Sequence, residues 1–266
     1  MEGEGEMLVL YKRVKTKHRE FIYRTKCFYY NPSNSKKPRA VRTASTGEGK
    51  KKRNAHQKYL KIKHDCYENI DIGDWWVTLT HSIWRAPAEA EEILRRVLAK
   101  LQKKLKRKGI PFVYFKTTEA SETQRVHHHL LIRNTSPELI TMLLEYWNEY
   151  GKVRDVQPIT DMESGKLVKY FLDAPNHKNL TYKTFGHSRN LRKPEVITRV
   201  MPVASVRENP KPPKCEEYGF KYVVDPQTIY NHDYDASGFV YQEYEIYKVR
   251  ITETDEAETA TPHRRQ

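Results

Sequence analysis

The sequence predicts an α+β fold in which an antiparallel sheet is covered on one face by helices. Strand-like and helix-like segments follow one another between residues 74 and 174 in the order β-α-β-β-α-β-α. The predicted helices carry start and stop signals at their ends. Hydrophobic residues make up 38% and aromatic residues 11% of the 266 residues, so a core can form over part of the chain although 31% are charged.

Each element of this region follows from local signals. A turn at Gly73 and Asp74 leads into the first strand, "WWVTLTHS". The first helix has Pro87 at its start, early glutamates, late lysines and Gly109 after its end. The remaining elements are the strands "IPFVYFKTTEA" and "TQRVHHHLLIRN", the helix "SPELITMLLEYWNEYG", the strand "KVRDVQPI" and a third helix in "DMESGKLVKYFLDAP". This order resembles the ferredoxin-like pattern, which RNA-recognition domains share.

Composition divides the chain into further segments. We predict a flexible basic linker at 33–50, a cationic helix at 51–68 and a basic, aromatic loop at 176–194. The predicted domain organisation is a basic N-terminal region (1–70), a central domain (71–195), a β-rich C-terminal extension (196–250) and a disordered tail (251–266).

The basic charge of the chain indicates a polyanionic partner, with nucleic acid as the first candidate. The formal net charge is +14, and the first 70 residues contribute +11 of it, with 18 Lys and Arg against 7 Asp and Glu. Three scattered cysteines follow no zinc-ligand spacing and fit a reducing compartment. No run approaches the ~18 apolar residues of a membrane span, and no phosphate-binding loop is present, so we expect neither a membrane protein nor an ATP-driven motor.

Three consecutive histidines stand in the strand "VHHHLLI". Because side chains alternate along a strand, His127 and His129 share one face and His128 points to the other. Glu119 lies at the end of the preceding strand, which the short turn brings beside the start of the histidine strand. Two imidazoles and a carboxylate form a three-ligand site with open positions, suited to Mg²⁺ or Mn²⁺. Glu122, in the turn itself, is the alternative carboxylate.

Two further features support a site on this sheet. Thr78 and Thr80 share a face of the first strand, which we expect to lie centrally beside the histidine strand, so that this face forms a solvated groove. The third helix carries Tyr170, which can reach a phosphate held at the metal if the helix lies across the open end of the sheet. Ordinary β-propensity of threonine and a buried aromatic side chain are the alternative interpretations.

In this order, "WVTLT", Glu119 with "VHHHLLI", and "LVKYFLD" resemble the three motifs of the HUH endonucleases. More narrowly, residues 50–195 resemble the rolling-circle replication-associated (Rep) proteins of plasmids, phages and integrative elements. The resemblance implies that Glu119, His127 and His129 hold the divalent metal. It implies that Tyr170 is the nucleophile, which cuts single-stranded DNA and forms a 5′-phosphotyrosyl link and a free 3′-OH.

The sequence departs from this family pattern at two positions. His128 stands where a hydrophobic residue is usual, and we expect little effect because its side chain faces away. Asp173 stands where related enzymes often have a lysine, so that Lys166 and Lys169 are the candidate cations near Tyr170.

The expected partner is single-stranded DNA or an origin hairpin in the cytoplasm of a bacterial host, together with a host helicase and polymerase. The residues predicted to contact DNA are the cations Arg125, Lys166, Lys169, Arg189 and Arg192 and the stacking aromatics Trp84 and Tyr182. Tyr182 is also the second candidate for the nucleophile.

Two alternatives remain at this stage. A non-enzymatic RNA-recognition-type domain shares the sheet topology, but it uses surface aromatics rather than a metal, and its usual aromatic signature is absent. Within the same superfamily, a relaxase or a transposase is the other alternative. Relaxases usually carry their histidines in another order along the chain, and small transposases are shorter.

Overall fold

A computed structural model of the chain describes residues 7–28, 48–122, 124–162, 166–173, 180–202, 207, 209–234 and 239–251. The chain divides into two compact units, one formed by residues 48–193 and the other by residues 1–47 together with 194–266. The described helices are α1 (Glu48–Asn69), α2 (Pro87–Arg107), α3 (Glu138–Trp147) and α4 (Lys166–Asp173). The described strands are β1 (Met7–Lys15), β2 (Glu20–Phe28), β3 (Trp75–His81), β4 (Tyr114–Ser121), β5 (His127–Ile132), β6 (Gly151–Pro158), β7 (Leu180–His187), β8 (Glu195–Pro202), β9 (Phe220–Val224), β10 (Tyr230–Tyr234) and β11 (Phe239–Arg250).

The central unit contains a five-stranded sheet in the order β6-β3-β5-β4-β7, with every neighbouring pair antiparallel. The predicted order β-α-β-β-α-β-α is observed from β3 to α4. The structure therefore confirms an α+β fold, and β3 lies inside the sheet beside β5 as expected.

One face of this sheet is covered by α2 and α3. Val77 and Leu79 of β3 and Leu130 and Ile132 of β5 pack there in a buried hydrophobic core. The helices contribute residues at helical spacing, which are Ile93, Leu94, Val97, Leu98, Leu101 and Leu105 from α2 and Leu139, Met142, Leu143 and Trp147 from α3. Gly109 follows α2 with φ of 71°, a left-handed conformation that favours glycine and ends the helix.

The prediction that the helices cover only one face is wrong for α4. Trp76 alternates with Val77 and so points away from α2 and α3. Its ring lies 5.6 Å from the ring of Tyr170 and 6.0 Å from that of Phe171, both on α4. Val168, Phe171 and Leu172 are buried, because the apolar side of this short helix requires the second face of the sheet.

The segment predicted as a basic loop at 176–194 contains the edge strand β7. Its residues pair with β4 from Phe115 to Ser121. Alternation along β7 explains why a sequence rich in polar residues forms a strand. Tyr182 and Thr184 bond to Glu91 of α2 on one face, whereas Lys183 meets Glu119 on the other.

The second unit is a separate antiparallel sheet in the order β10-β11-β2-β1-β8, with β9 also paired to β11. Its core contains Tyr11, Ile22, Tyr244 and Ile246. The limits of the two units differ from the predicted segments, since the cationic helix α1 belongs to residues 48–193 and the first strands pair with C-terminal ones. Most of the predicted linker and nearly all of the predicted tail lie outside the described residues.

None of the described helices has the combined length and hydropathy that crossing a membrane requires.

Candidate active site

One row of side chains crosses four strands on the α4 face of the central sheet. Thr80 of β3 pairs with His127 of β5, His127 pairs with Glu119 of β4, and Glu119 pairs with Lys183 of β7. Because directly paired residues share a face, their side chains are neighbours. The short β4–β5 turn therefore brings the carboxylate and the first imidazole together as predicted.

The two outer histidines are oriented by threonines of β3. Nδ1 of His127 lies 2.9 Å from Oγ1 of Thr80, and Nδ1 of His129 lies 3.1 Å from Oγ1 of Thr78. The indole of Trp76 also donates to Thr78, at 3.2 Å. A threonine hydroxyl can accept from an Nδ1–H, which leaves the Nε2 lone pair of the imidazole for another ligand. The threonines thus hold the imidazoles in place.

Glu119 is buried and charged. Its Oε2 lies 3.6 Å from Nε2 of His129, and its Oε1 lies 3.0 Å from Nζ of Lys183. Burial by itself raises the pKa of the carboxyl group, but the interactions with His129 and Lys183 outweigh it and lower the pKa to about 2. The carboxylate is consequently available as an anionic ligand across the physiological pH range.

His128 points to the opposite face, as the alternation predicts. It is fully buried, with Nε2 2.9 Å from Nε2 of His81 and Nδ1 3.0 Å from Oγ1 of Thr118. Burial lowers the pKa of His128 well below its usual value and lowers that of His81 to about 4. Both rings pack edge-on against Trp147. His128 is therefore a core residue bonded to another histidine, a partner that the sequence did not reveal.

Tyr170 lies on the same face as the two outer histidines. Its ring centre is 6.5 Å from that of His129, and the side chain is 42% exposed. The buried aromatic of this helix is its neighbour Phe171, so the alternative interpretation of Tyr170 as a core residue does not hold. The side chains of Lys166 and Lys169 are exposed on the same helix, and that of Asp173 lies outside the described residues.

An open groove lies beside His127 and Thr80. Trp84 and Arg125, two of the predicted DNA contacts, line it. Trp84 is 60% exposed, and the guanidinium of Arg125 donates to the carbonyl of Ser82 at 2.7 Å.

The same groove contains two cations that the sequence analysis missed, Lys152 and Arg154 of β6. Their spacing of two residues on a strand was the available signal, because it places both on one face. The groove therefore combines exposed positive charge with an aromatic surface.

The other predicted contacts lie elsewhere. The hydroxyl of Tyr182 donates to Glu91 at 2.7 Å, and the ring packs against the small core of Ala90, Ala120 and Val126. Arg189 and Arg192 follow the far end of β7, where Ser188 bonds to Tyr114. That end is about 16 Å from Glu119 along β4, at roughly 3.3 Å per residue. Glu122 is exposed in the turn after β4.

The donor set of the site fits a hard or borderline divalent cation, with two imidazoles and one carboxylate. Within the residues that the structure describes, however, no three His, Cys, Asp or Glu side chains converge on a common point. Glu119 instead bonds to Lys183, a residue that the sequence analysis placed in a loop. Chemistry and register therefore fit a metal, whereas the carboxylate has a cation from the protein as its partner.

Together these features define a class: an α+β domain with a His-x-His pair and a carboxylate on one sheet face, and a half-exposed tyrosine on a helix beside them. Residues 74–175 match a family model of replication-associated proteins, the ORF2 family. The matched segment runs from β3 to α4 and includes Glu119, both outer histidines and Tyr170. No curated protein and no solved structure matches the chain. The match indicates a role in DNA replication and DNA as the partner.

Proposed function

We propose that the central unit is an HUH-type endonuclease domain of a rolling-circle replication initiator, with Tyr170 as its nucleophile. The observation that carries this proposal is the position of the Tyr170 ring, which is half-exposed and 6.5 Å from the ring of His129. A phenol buried in the core, or on the α2 side of the sheet, would not reach a substrate held by the histidines.

In the proposed reaction the phenol oxygen of Tyr170 bonds to the scissile phosphorus, and the bond from phosphorus to the 3′ oxygen breaks. The phenol loses its proton, and the departing 3′ oxygen gains one, so that the products are a 5′-phosphotyrosyl link and a 3′-OH. The link conserves the phosphodiester for rejoining, and the hydroxyl can prime synthesis. No nucleoside triphosphate is needed for cutting or rejoining.

Glu119, His127 and His129 would hold Mg²⁺ or Mn²⁺, which neutralises charge on the scissile phosphate when it is bound. The chain's own contribution is orientation. Thr78 and Thr80 fix the two imidazoles through Nδ1, and the β4–β5 pairing brings the carboxylate beside them.

The groove beside His127 is the proposed path of the DNA strand. Trp84 offers an exposed ring for base stacking, and Arg125, Lys152 and Arg154 offer charges for the backbone phosphates. A single strand is required at the cut because base pairing and the second strand would block access to the phosphate. A host helicase and polymerase would act on the nicked origin in a bacterial cytoplasm.

The test is incubation of the full chain with end-labelled single-stranded DNA and Mn²⁺, followed by a denaturing gel. We expect a labelled band at the mobility of a covalent protein–DNA adduct with the wild type and no such band with Tyr170→Phe. Tyr182→Phe is the matched control, because it removes a hydroxyl that bonds to Glu91 away from the proposed site. An adduct with Tyr170→Phe would overturn the assignment, and DNA binding with no adduct under any metal would favour the RNA-recognition-type alternative.

A further inference from the structure

A buried ammonium group lies beside the proposed metal-binding carboxylate. Nζ of Lys183 is 3.0 Å from Oε1 of Glu119, and the Lys183 side chain is only 17% exposed. Within the described part of the chain, Nζ makes no hydrogen bond that satisfies the usual geometry, and this ion pair is its polar contact. Its other neighbour is the ring of Phe185, whose centre is 5.1 Å away.

The strand that carries Lys183 is fixed on both sides. Lys183 is the direct register partner of Glu119 across the β4–β7 pair. Its neighbours Tyr182 and Thr184 point to the opposite face and donate to Glu91 at 2.7 Å and 3.1 Å. The lysine therefore cannot leave the carboxylate by a shift of the strand, and only its own flexible side chain can move.

The electrostatics of this arrangement restrict what can bind. Glu119 is 3% exposed, and a buried carboxylate without a counter-ion is strongly disfavoured. Lys183 supplies that counter-ion in the absence of metal. A divalent cation on the same carboxylate would meet a positive charge a few ångströms away, in surroundings where charge repulsion is stronger than in water.

We propose that Lys183 is a resident counter-ion of Glu119 that competes with the divalent metal for the carboxylate. The ammonium stabilises the site before metal arrives and moves off the carboxylate when metal binds. This inference rests on the proposed metal site, and it predicts that the free protein binds metal more weakly than its donor set allows. Lys183 is a positioning residue in this scheme.

The experiment measures Mn²⁺ binding to the full chain without DNA, by isothermal titration calorimetry, for the wild type, Lys183→Met and Lys183→Arg. We expect Lys183→Met to bind Mn²⁺ at least about tenfold more tightly, because both the competitor and its repulsion are removed. We expect Lys183→Arg to stay close to the wild type, because it keeps the charge.

Lys116→Met is the matched structural control. Lys116 is also a mostly buried lysine of this sheet, and it pairs with Glu91 at 2.7 Å on the opposite face. We expect its loss to leave Mn²⁺ affinity unchanged. Thermal unfolding gives a second readout, in which Lys183→Met is less stable than the wild type without metal and gains more from Mn²⁺. Lys183→Gln replaces Lys183→Met if the methionine variant does not fold.

The outcomes separate this inference from the proposed function. Tighter binding by Lys183→Met that is lost in the Lys183→Met, Glu119→Gln double variant supports the competition. Equal or weaker binding, with the wild-type affinity still dependent on Glu119, overturns the role of Lys183 and leaves the proposed function standing. Mn²⁺ binding that Glu119→Gln does not change, or no binding at all, overturns both the competition and the proposed metal site.

Discussion

The carboxylate of Glu119 lies 3.6 Å from Nε2 of His129, although its direct partner across the strand pair is His127. The side chain therefore reaches diagonally and stands next to two successive rows of the sheet. This diagonal contact is the reason why two imidazoles from one strand and a carboxylate from the next can act on a single ligand.

The three consecutive histidines are predicted to have two different roles. His127→Ala and His129→Ala each remove a proposed ligand from a partly exposed position, so we expect loss of Mn²⁺ binding and of DNA cutting with a small change in stability. His128→Ala creates a cavity and leaves His81 without its partner, so we expect a loss of about 2–4 kcal/mol in the free energy of unfolding. Calorimetric Mn²⁺ titration and urea unfolding measure the two effects.

Below its unfolding temperature, His128→Ala should keep much of its metal-dependent activity. Equal loss of Mn²⁺ affinity in all three variants, at equal folded fractions, would contradict the assignment of faces.

The His81–His128 pair predicts acid sensitivity of the central unit. The pKa of His81 is about 4 in the folded state, against roughly 6.5 in an unfolded chain. Between these values the unfolded state binds more protons, so stability is complete above about pH 6.5 and falls as the pH drops toward 4. The expected loss from His81 is roughly 2–3 kcal/mol, and His128 acts in the same direction.

Chemical unfolding at pH 7, 6 and 5 measures this dependence. The loss should be smaller in His81→Phe and unchanged in Glu119→Gln. The pKa of Glu119 is lowered to about 2, so its contribution is lost only below its unfolded value near 4.5. A flat profile in the wild type between pH 7 and 5 would rule out a buried neutral pair.

Trp84 is predicted to contribute to DNA binding by base stacking. The loss of one stacking side chain costs about 1–3 kcal/mol per base, so Trp84→Ala should bind single-stranded DNA roughly 5- to 150-fold more weakly. Trp84→Phe should recover most of the affinity, because a phenyl ring also stacks. Fluorescence anisotropy at one fixed salt concentration tests this, and equal affinity of the alanine variant would remove the groove from the proposed path.

The sequence was sufficient to predict the parts of the site that depend on local rules. Alternation along a strand gave the faces of the three histidines and of Thr78, and a short turn gave the pairing of Glu119 with His127. The fold class and the order of elements from β3 to α4 follow from hydrophobic periodicity and helix caps in the same way.

Features that depend on tertiary pairing were not predictable. Lys183 belongs to an edge strand whose polar sequence resembles a loop, and its role depends on being placed beside Glu119 by β4. His81 and His128 come from different strands, and only the β3–β5 register brings their rings together. The position of α4 on the second face depends on which side of the sheet was left uncovered, which a single sequence does not encode locally.

The most direct test of the account is the identity of the residue that carries the DNA. The adduct formed with single-stranded DNA and Mn²⁺ is digested with nuclease and trypsin, and the modified peptide is sequenced by mass spectrometry. Cleavage after Lys169 and Lys178 gives the peptide "YFLDAPNHK", in which Tyr170 is the sole tyrosine, whereas Tyr182 falls in a separate peptide. We predict a phosphonucleotide on Tyr170, and a phosphonucleotide on Tyr182 or on any other peptide would contradict the account.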